Sequence, residues 1–371
     1  MIQPDGKLVL LGSHVSPNQT TKFSFWRLNP DTSRDTTFDG DGNAFFDLGE
    51  AGGNAAGVAL ALQPDGRLLA LGRNDGSPML MRIWPDATFD TGGQQTLGFA
   101  ERAFGLDSDE TANGMALQPD GKLVVAGETV NPAGTESDLI LARFLPDSQL
   151  DASFGDQGRV QFGPGQYDRA NAVLIQPDGK IVVAGESDPP GALESNFLIA
   201  RFNPDGTKDE NFAFFGFNLV DFLGTIDRSF DLALTPDGKI VVAGFAWNAV
   251  SNRMMAAVAR FTSDGVLDPT FDGDGRVVTE WPGRQHSPVT GVVVQPDGKI
   301  VLGTGYSGPD FALMRLNQNG SLDASFGSQG MTITDMGGDD VLYALASDSV
   351  ESIVDPEICT VRRPGFGRIP A

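Results

Sequence analysis

The chain has 371 residues, 40% hydrophobic and 20% charged, enough apolar material for a sizeable core and too much for a disordered polymer. Its formal net charge of −23 argues against nucleic acid and anionic membrane as partners and leaves cations and neutral or basic ligands. Gly (47) and Pro (23) are over-represented, as expected where many tight turns join short strands.

Reading from the N-terminus, Met1-Ile2 leads straight into the turn Gln3-Pro4-Asp5-Gly6-Lys7, with neither the basic start nor the apolar stretch of a signal peptide. The same turn returns at Gln63, Gln118, Gln176, Thr235 and Gln295, with Thr235 in place of Gln and Arg67 in place of Lys, at spacings of 55 to 60 residues. A period of that length marks a repeat architecture rather than separate domains. The fourth copy shows the order of elements. A strand over 170–175 is followed by the turn Pro177-Asp178-Gly179, and then by strands over 181–185, 197–202 and 217–222.

In the turn, proline presets φ, aspartate tolerates the bridge region and glycine takes the left-handed position, which gives a type I hairpin with a glycine bulge. The strands that follow, Ile181–Ala184 and Leu123–Ala126, are apolar at successive positions, so both of their faces are buried. Four-stranded sheets stacked face to face make a β-propeller. A β-helix fits less well, because its rungs are much shorter than this period.

The first copy starts at its hairpin, whereas Val341–Ala346 reads like a strand that precedes one. Pairing the two closes the ring. The expectation is an all-β, six-bladed propeller over residues 1–348, each blade four-stranded and antiparallel. A seventh blade starting near Ser352 is the alternative. Residues 349–371 read as an irregular tail, and the lone Cys359 permits no internal disulfide. No stretch approaches the ~18 apolar residues of a membrane span, and a monomer is expected.

The run Gln176-Pro177-Asp178-Gly179-Lys180-Ile181-Val182-Val183-Ala184-Gly185, then Ala200-Arg201-Phe202-Asn203-Pro204-Asp205-Gly206, resembles the delta-60 repeat of bacterial proteins, and Leu322-Asp323-Ala324-Ser325-Phe326-Gly327 carries the rest of that motif. The resemblance covers nearly everything from Ile2 to about Asp348. It implies a repeat fold and an extracellular or cell-surface setting, but no single activity.

Comparison of the six copies separates scaffold from site. Arg27, Arg82, Arg143, Arg201, Arg260 and Arg315 share one slot, and Asp35, Asp86, Asp151, Asp209, Asp268 and Asp323 follow them. Matched numbers of opposite charge point to repeated ion pairs rather than a polyanion site. Five of the seven lysines fall in the hairpin turn and read as solvated turn chemistry. The acidic-glycine runs at Asp39–Gly42 and Asp272–Gly275 read as tight turns, since neither has the spacing of a calcium loop.

The connections between the second and third strands, and from the fourth strand into the next copy, vary as functional loops do. Three candidate sets lie there. His14 and His286, with Ser13, Ser287 and Asp335, have the residue types for a hydrolase of the esterase or lactonase class, although no nucleophile-elbow signature accompanies them. Trp247, Trp281, Tyr167 and Tyr306, with Arg284, Asp339 and Asp340, have the types that stack on sugars or anchor protein partners. Asp47, Asp221, Glu280 and Asp335, near the fourth-strand ends, have the oxygen chemistry for calcium or another divalent cation. The leading expectation is a binding or interaction scaffold for a small-molecule, carbohydrate or protein ligand. The hydrolase is the alternative, and no cofactor beyond a divalent cation is indicated.

Overall fold

The computed structural model describes residues 1–15, 21–46, 55–74, 77–84, 86–87, 97–98, 110–131, 133–189, 191, 194–281, 288–304 and 311–334. No described residue is helical, so among the described residues no helix is long and apolar enough to cross a membrane. The chain divides into two compact units, Met1–Val220 and Asp221–Ala371.

In the first unit, β1 (Leu8–Val15), β2 (Thr21–Leu28) and β3 (Asn43–Phe46) form a three-stranded sheet. Next come β4 (Ala55–Leu62), β5 (Leu68–Asn74), β6 (Ser77–Ile83) and β7 (Leu97–Gly98), paired in chain order. The third group is β8 (Glu110–Leu117), β9 (Leu123–Val130), β10 (Ser137–Phe144) and β11 (Arg159–Phe162). The fourth is β12 (Tyr167–Ile175), β13 (Ile181–Asp188), β14 (Asn196–Phe202) and β15 (Phe217–Val220). These last two groups touch at their edges through a single parallel pairing, Ser137 with Tyr167, and each four-stranded group is otherwise a sheet of its own.

In the second unit, β16 (Asp227–Leu234), β17 (Ile240–Asn248), β18 (Arg253–Phe261) and β19 (Arg276–Thr279) make one four-stranded sheet. β20 (Gly291–Val294), β21 (Ile300–Thr304), β22 (Phe311–Leu316) and β23 (Met331–Thr334) make another. Every neighbour pair inside these groups is antiparallel, as the short hairpin turns require. The strand over 341–346, the ring closure built on it and the 349–371 tail lie outside the described residues.

The unalternating apolar strands are explained by packing on both faces. On β9, Leu123 and Val125 meet Leu69, Leu71 and Leu80 of the preceding sheet. The intervening Val124 and Ala126 meet Val173, Ile181 and Val183 of the following one. In the second unit, Val241 and Ala243 pack with Val292, Ile300 and Leu302 in the same way. Each such side chain is more than nine-tenths buried, worth roughly 1.5–3 kcal/mol for a valine or leucine.

Turn chemistry sets the register. Gly179 has φ +83, its N–H donates to the Gln176 carbonyl, and Gln176 N–H donates to the Lys180 carbonyl. Pairing then runs without slip from Ile175–Ile181 up to the first strand's bulge between Ala170 and Ala172. At that bulge the Arg169 carbonyl turns onto Gly185, so any Cβ there would collide with it.

Candidate functional site

The most repeated residues prove to be structural. Arg201 Nε donates to Asp209 Oδ2 at 2.8 Å, Lys180 Nζ reaches the same oxygen at 2.8 Å, and the guanidinium lies over the Phe212 ring at 4.4 Å. The arrangement recurs. Arg27–Asp35, Arg143–Asp151, Arg260–Asp268 and Arg315–Asp323 pair at 2.6 to 2.9 Å. Lys7, Lys122, Lys239 and Lys299 lie 3.0 to 3.1 Å from the same aspartates. The expectation of an ion pair is met, but the turn lysines are not simply solvated: each supplies a second cation to the buried carboxylate.

Burial works against charge on Asp35, Asp151 and Asp268. A hydroxyl from Thr37, Ser153 or Thr270, the lysine and the arginine together outweigh it and hold these carboxyls well below their ordinary value. The arginine also ties sheets together: Arg143 Nη1 donates to the Pro204 carbonyl of the next sheet, and Arg82 Nη1 to the Pro146 carbonyl at 2.7 Å. With these groups engaged by one another, the turn face carries little free chemistry in the copies that keep the motif.

The opposite, loop edge differs from copy to copy. After the glycine of each second strand (Gly12, Gly72, Gly127, Gly185, Gly244, Gly303) stand Ser13, Arg73, Glu128, Glu186, Phe245 and Thr304. In the first unit two of these converge on one cation. Arg169, paired across strands with Glu186, places Nη2 2.6 Å from Glu128 of the preceding sheet and Nη1 3.6 Å from Glu186. Both glutamates are buried, while the Arg169 side chain is 40% exposed. Burial opposes its charge, but Glu128, then Glu186 and Asp188, raise its pKa above the ordinary value.

Beside it, fully buried Asp168 accepts the Gly165 N–H at 2.9 Å. Burial pushes this carboxyl up to about 6, with Asp138 and Asp188 adding to the effect and the Ser187 hydroxyl and Gly165 N–H opposing it. Tyr167, exposed at the start of β12, stands two positions before Arg169 on the same strand. Sequence reasoning missed Glu128, Glu186 and Arg169 as a set. The signal was the changing residue after the constant glycine.

In the second unit Asp227 occupies the slot of Asp168. It is 0% exposed and accepts the Phe222 N–H at 2.7 Å. Burial, then Asp221, pushes it up to about 7. Asp221 itself accepts the Gly224 N–H at 2.6 Å and, through its carbonyl, Arg276 Nη1 at 2.8 Å. Glu280 is exposed, 3.9 Å from Arg253. Among the described residues, no three His, Cys, Asp or Glu side chains form a metal-ligating group.

The other sequence candidates divide as follows. Ser13 is exposed on β1, and His14 beside it is half-buried, its ring 4.7 Å from that of Phe45. Trp247 is half-buried near the end of β17, where its backbone holds the Ile226 carbonyl and the Thr225 hydroxyl. Trp281, expected on an open loop, is 3% exposed in the core with Val289 and Val292; the sheet buries it because it follows β19 directly into the gap between sheets. Asp47, Arg284, His286, Ser287, Tyr306, Asp335, Asp339 and Asp340 lie outside the described residues.

Five stretches, 3–38, 118–154, 176–212, 235–271 and 295–326, match the family model described as a domain of unknown function (DUF5122) β-propeller. The chain is a β-propeller repeat protein. No curated protein matches it. Among solved structures, a protein of unknown function from Bacteroides caccae is similar at 13% identity and TM-score 0.47, covering 88% of this chain and 97% of that one. The propeller repeat protein is also similar to a gluconolactonase from Xanthomonas campestris (15% identity, TM-score 0.41, covering 78% and 81%). A third likeness is to the β-propeller domain of the Trilobed protease from Pyrococcus furiosus (9% identity, TM-score 0.43, covering 84% and 78%). At these values the likenesses say nothing about activity.

Proposed function

We propose that this repeat protein is a binding scaffold that recognises a neutral or basic ligand, a carbohydrate or a protein surface, on its loop edge. One observation carries the reading. The charged residues of the turn edge are constant and consumed by one another, whereas the slot after the second-strand glycine changes from copy to copy and builds the Glu128–Arg169–Glu186 cluster beside exposed Tyr167. A half-exposed guanidinium fixed by two buried carboxylates is a preorganised recognition group, and the surrounding acidity suits neutral or cationic partners.

Glycan and basic-peptide arrays probed with the wild-type chain test this. Binding that falls with Tyr167→Ala and Arg169→Met while the unfolding temperature holds for the tyrosine variant is the expected result. Binding untouched by either change would remove the loop edge from the reading. The fuller architecture belongs to the same proposal: six four-stranded blades of delta-60 type, with Val341–Ala346 completing the sheet of β1–β3. It is supported by that sheet having three strands among the described residues where the next, β4–β7, has four. Slow amide exchange at 341–346 is expected from it.

A hydrolase on the same edge is the second reading, favoured by carboxyls tuned to about 6 and about 7 at Asp168 and Asp227. Ester and lactone turnover lost in His14→Ala or His286→Ala would establish it. Calorimetric titration with calcium tests Asp221 and Glu280 as cation ligands in either case.

A further inference from the structure

The second unit departs from the repeat on its turn edge at Thr235, at Ser263 and at Gln318-Asn319, and the first and last of these line the same groove. The first is Thr235, where the five other turns carry a glutamine, buried at Gln63, Gln118 and Gln176 and half-buried at Gln3 and Gln295. In two copies the glutamine reaches the arginine: Gln176 Oε1 lies 3.3 Å from Arg201 Nη1, and Gln295 Oε1 lies 3.4 Å from Arg315 Nη1. Thr235 is too short to do so, and its hydroxyl turns back to Asp237 Oδ1 at 2.5 Å. The last is Gln318-Asn319. Other sheets place a proline against the glycine of the first turn, Pro146 on Gly121 and Pro204 on Gly179, followed by Asp147 or Asp205. Here Gln318 packs on Gly298, and an amide replaces the carboxylate.

Between these turns lies a groove of about 510 Å³, within the roughly 300–1,000 Å³ of small-molecule sites. We infer that this groove binds a neutral polyhydroxylated ligand, a mono- or disaccharide. Its chemistry is balanced rather than charged. Exposed Asp237 and Asp297 offer carboxylate acceptors, suited to vicinal hydroxyls. Lys239 and the Asn319 amide offer donors. Asn319 spends its Oδ1 on the Ser321 N–H and hydroxyl, which leaves its N–H pair without a partner among the described residues. The rings of Pro236 and Pro296 line the groove and present flat apolar surfaces for the C–H face of a sugar. Two carboxylates discourage anions, while Lys239 and Arg260 in the groove wall are already paired with Asp268.

The groove is built from hairpin turns of the second unit and uses none of the loop residues invoked above, so this site goes beyond the proposed function and is independent of it. The test is NMR titration of the full chain with glucose, galactose, maltose, cellobiose and lactose at millimolar concentration. At least one sugar is expected to give saturable shifts at Thr235, Lys239 and Asn319. Thr235→Gln restores the residue of the other turns and is expected to weaken that binding at least about tenfold without lowering the unfolding temperature. Asn319→Asp, also a residue other copies carry, is the second variant and is expected to weaken it too. No saturable shift with any of the five sugars, or equal affinity in the wild type and both variants, overturns the assignment.

Discussion

Arg201 and Asp209 stand eight residues apart on either side of a turn, joined at 2.8 Å, and both are nearly sealed from water. With Lys180 on the same carboxylate oxygen, the pair is a three-charge knot in which one anion is shared by two cations. Asp209→Ala leaves both cations uncompensated, one of them buried. Removing one partner of a buried pair typically costs about 3–5 kcal/mol, and a loss of that size is expected in denaturant unfolding. A change below ~1 kcal/mol would show that the knot is decorative.

The pH response has two limbs. The knot carboxyls Asp35, Asp151 and Asp268 lie below their ordinary value in the folded chain. Their contribution is therefore present above the unfolded carboxylate pKa of about 4 and is lost as pH falls below it. Asp227 has the opposite sign. Folded, it holds its proton up to about pH 7, so stability declines as pH rises from about 4 through 7. Asp227→Asn is expected to raise the unfolding temperature more at pH 8 than at pH 5, as calorimetry at both pH values would show; an equal gain would refute the burial argument.

Phe214 and Phe215 are 65% and 75% exposed in a turn where the matching positions are Asp156 and Gln157 or Ser328 and Gln329. Phe215 also adopts φ +55, a strained setting for an aromatic residue. Phe215→Gly removes that strain with little burial to lose, and should stabilise the first unit by roughly 0.5–1 kcal/mol. A fall in stability would mean that the ring contributes contacts worth more than the strain.

Gly185 faces the Arg169 carbonyl where the first strand bulges, with no room for a Cβ. Gly185→Ala must push two strands apart and should cost about 3 kcal/mol or more, at the upper end of single substitutions. The same change at exposed Gly191, where a Cβ meets nothing within 4 Å but φ is +76, should cost only the backbone strain, about 1 kcal/mol. Urea midpoints of the two variants give the comparison.

Much of the fold was legible because its determinants are local. A Pro-Asp-Gly turn specifies its own hairpin within five residues, and an apolar run such as Ile181–Ala184 reports burial on both faces wherever it is found. The Arg–Asp pairing was legible for the same reason, being eight residues long. The lysine of each knot was not, because it arrives from a different hairpin: Lys180 precedes Asp209 by 29 residues. Nor was the burial of Trp281, whose neighbours Val289 and Val292 enclose it only once β20 has folded back.

The sequence by itself determined the repeat, the strand order within each copy and the division between a constant edge and a variable one. All three follow from turn preferences and apolar periodicity, which act over a few bonds. Tertiary structure alone decided that Glu128 and Glu186 of successive sheets share Arg169, that burial pushes the Asp168 and Asp227 carboxyls up to about 6 and about 7, and that Thr235 and Gln318 border one groove. Each of these depends on which side chains lose water together. That is a property of stacked sheets, which no single stretch of chain contains.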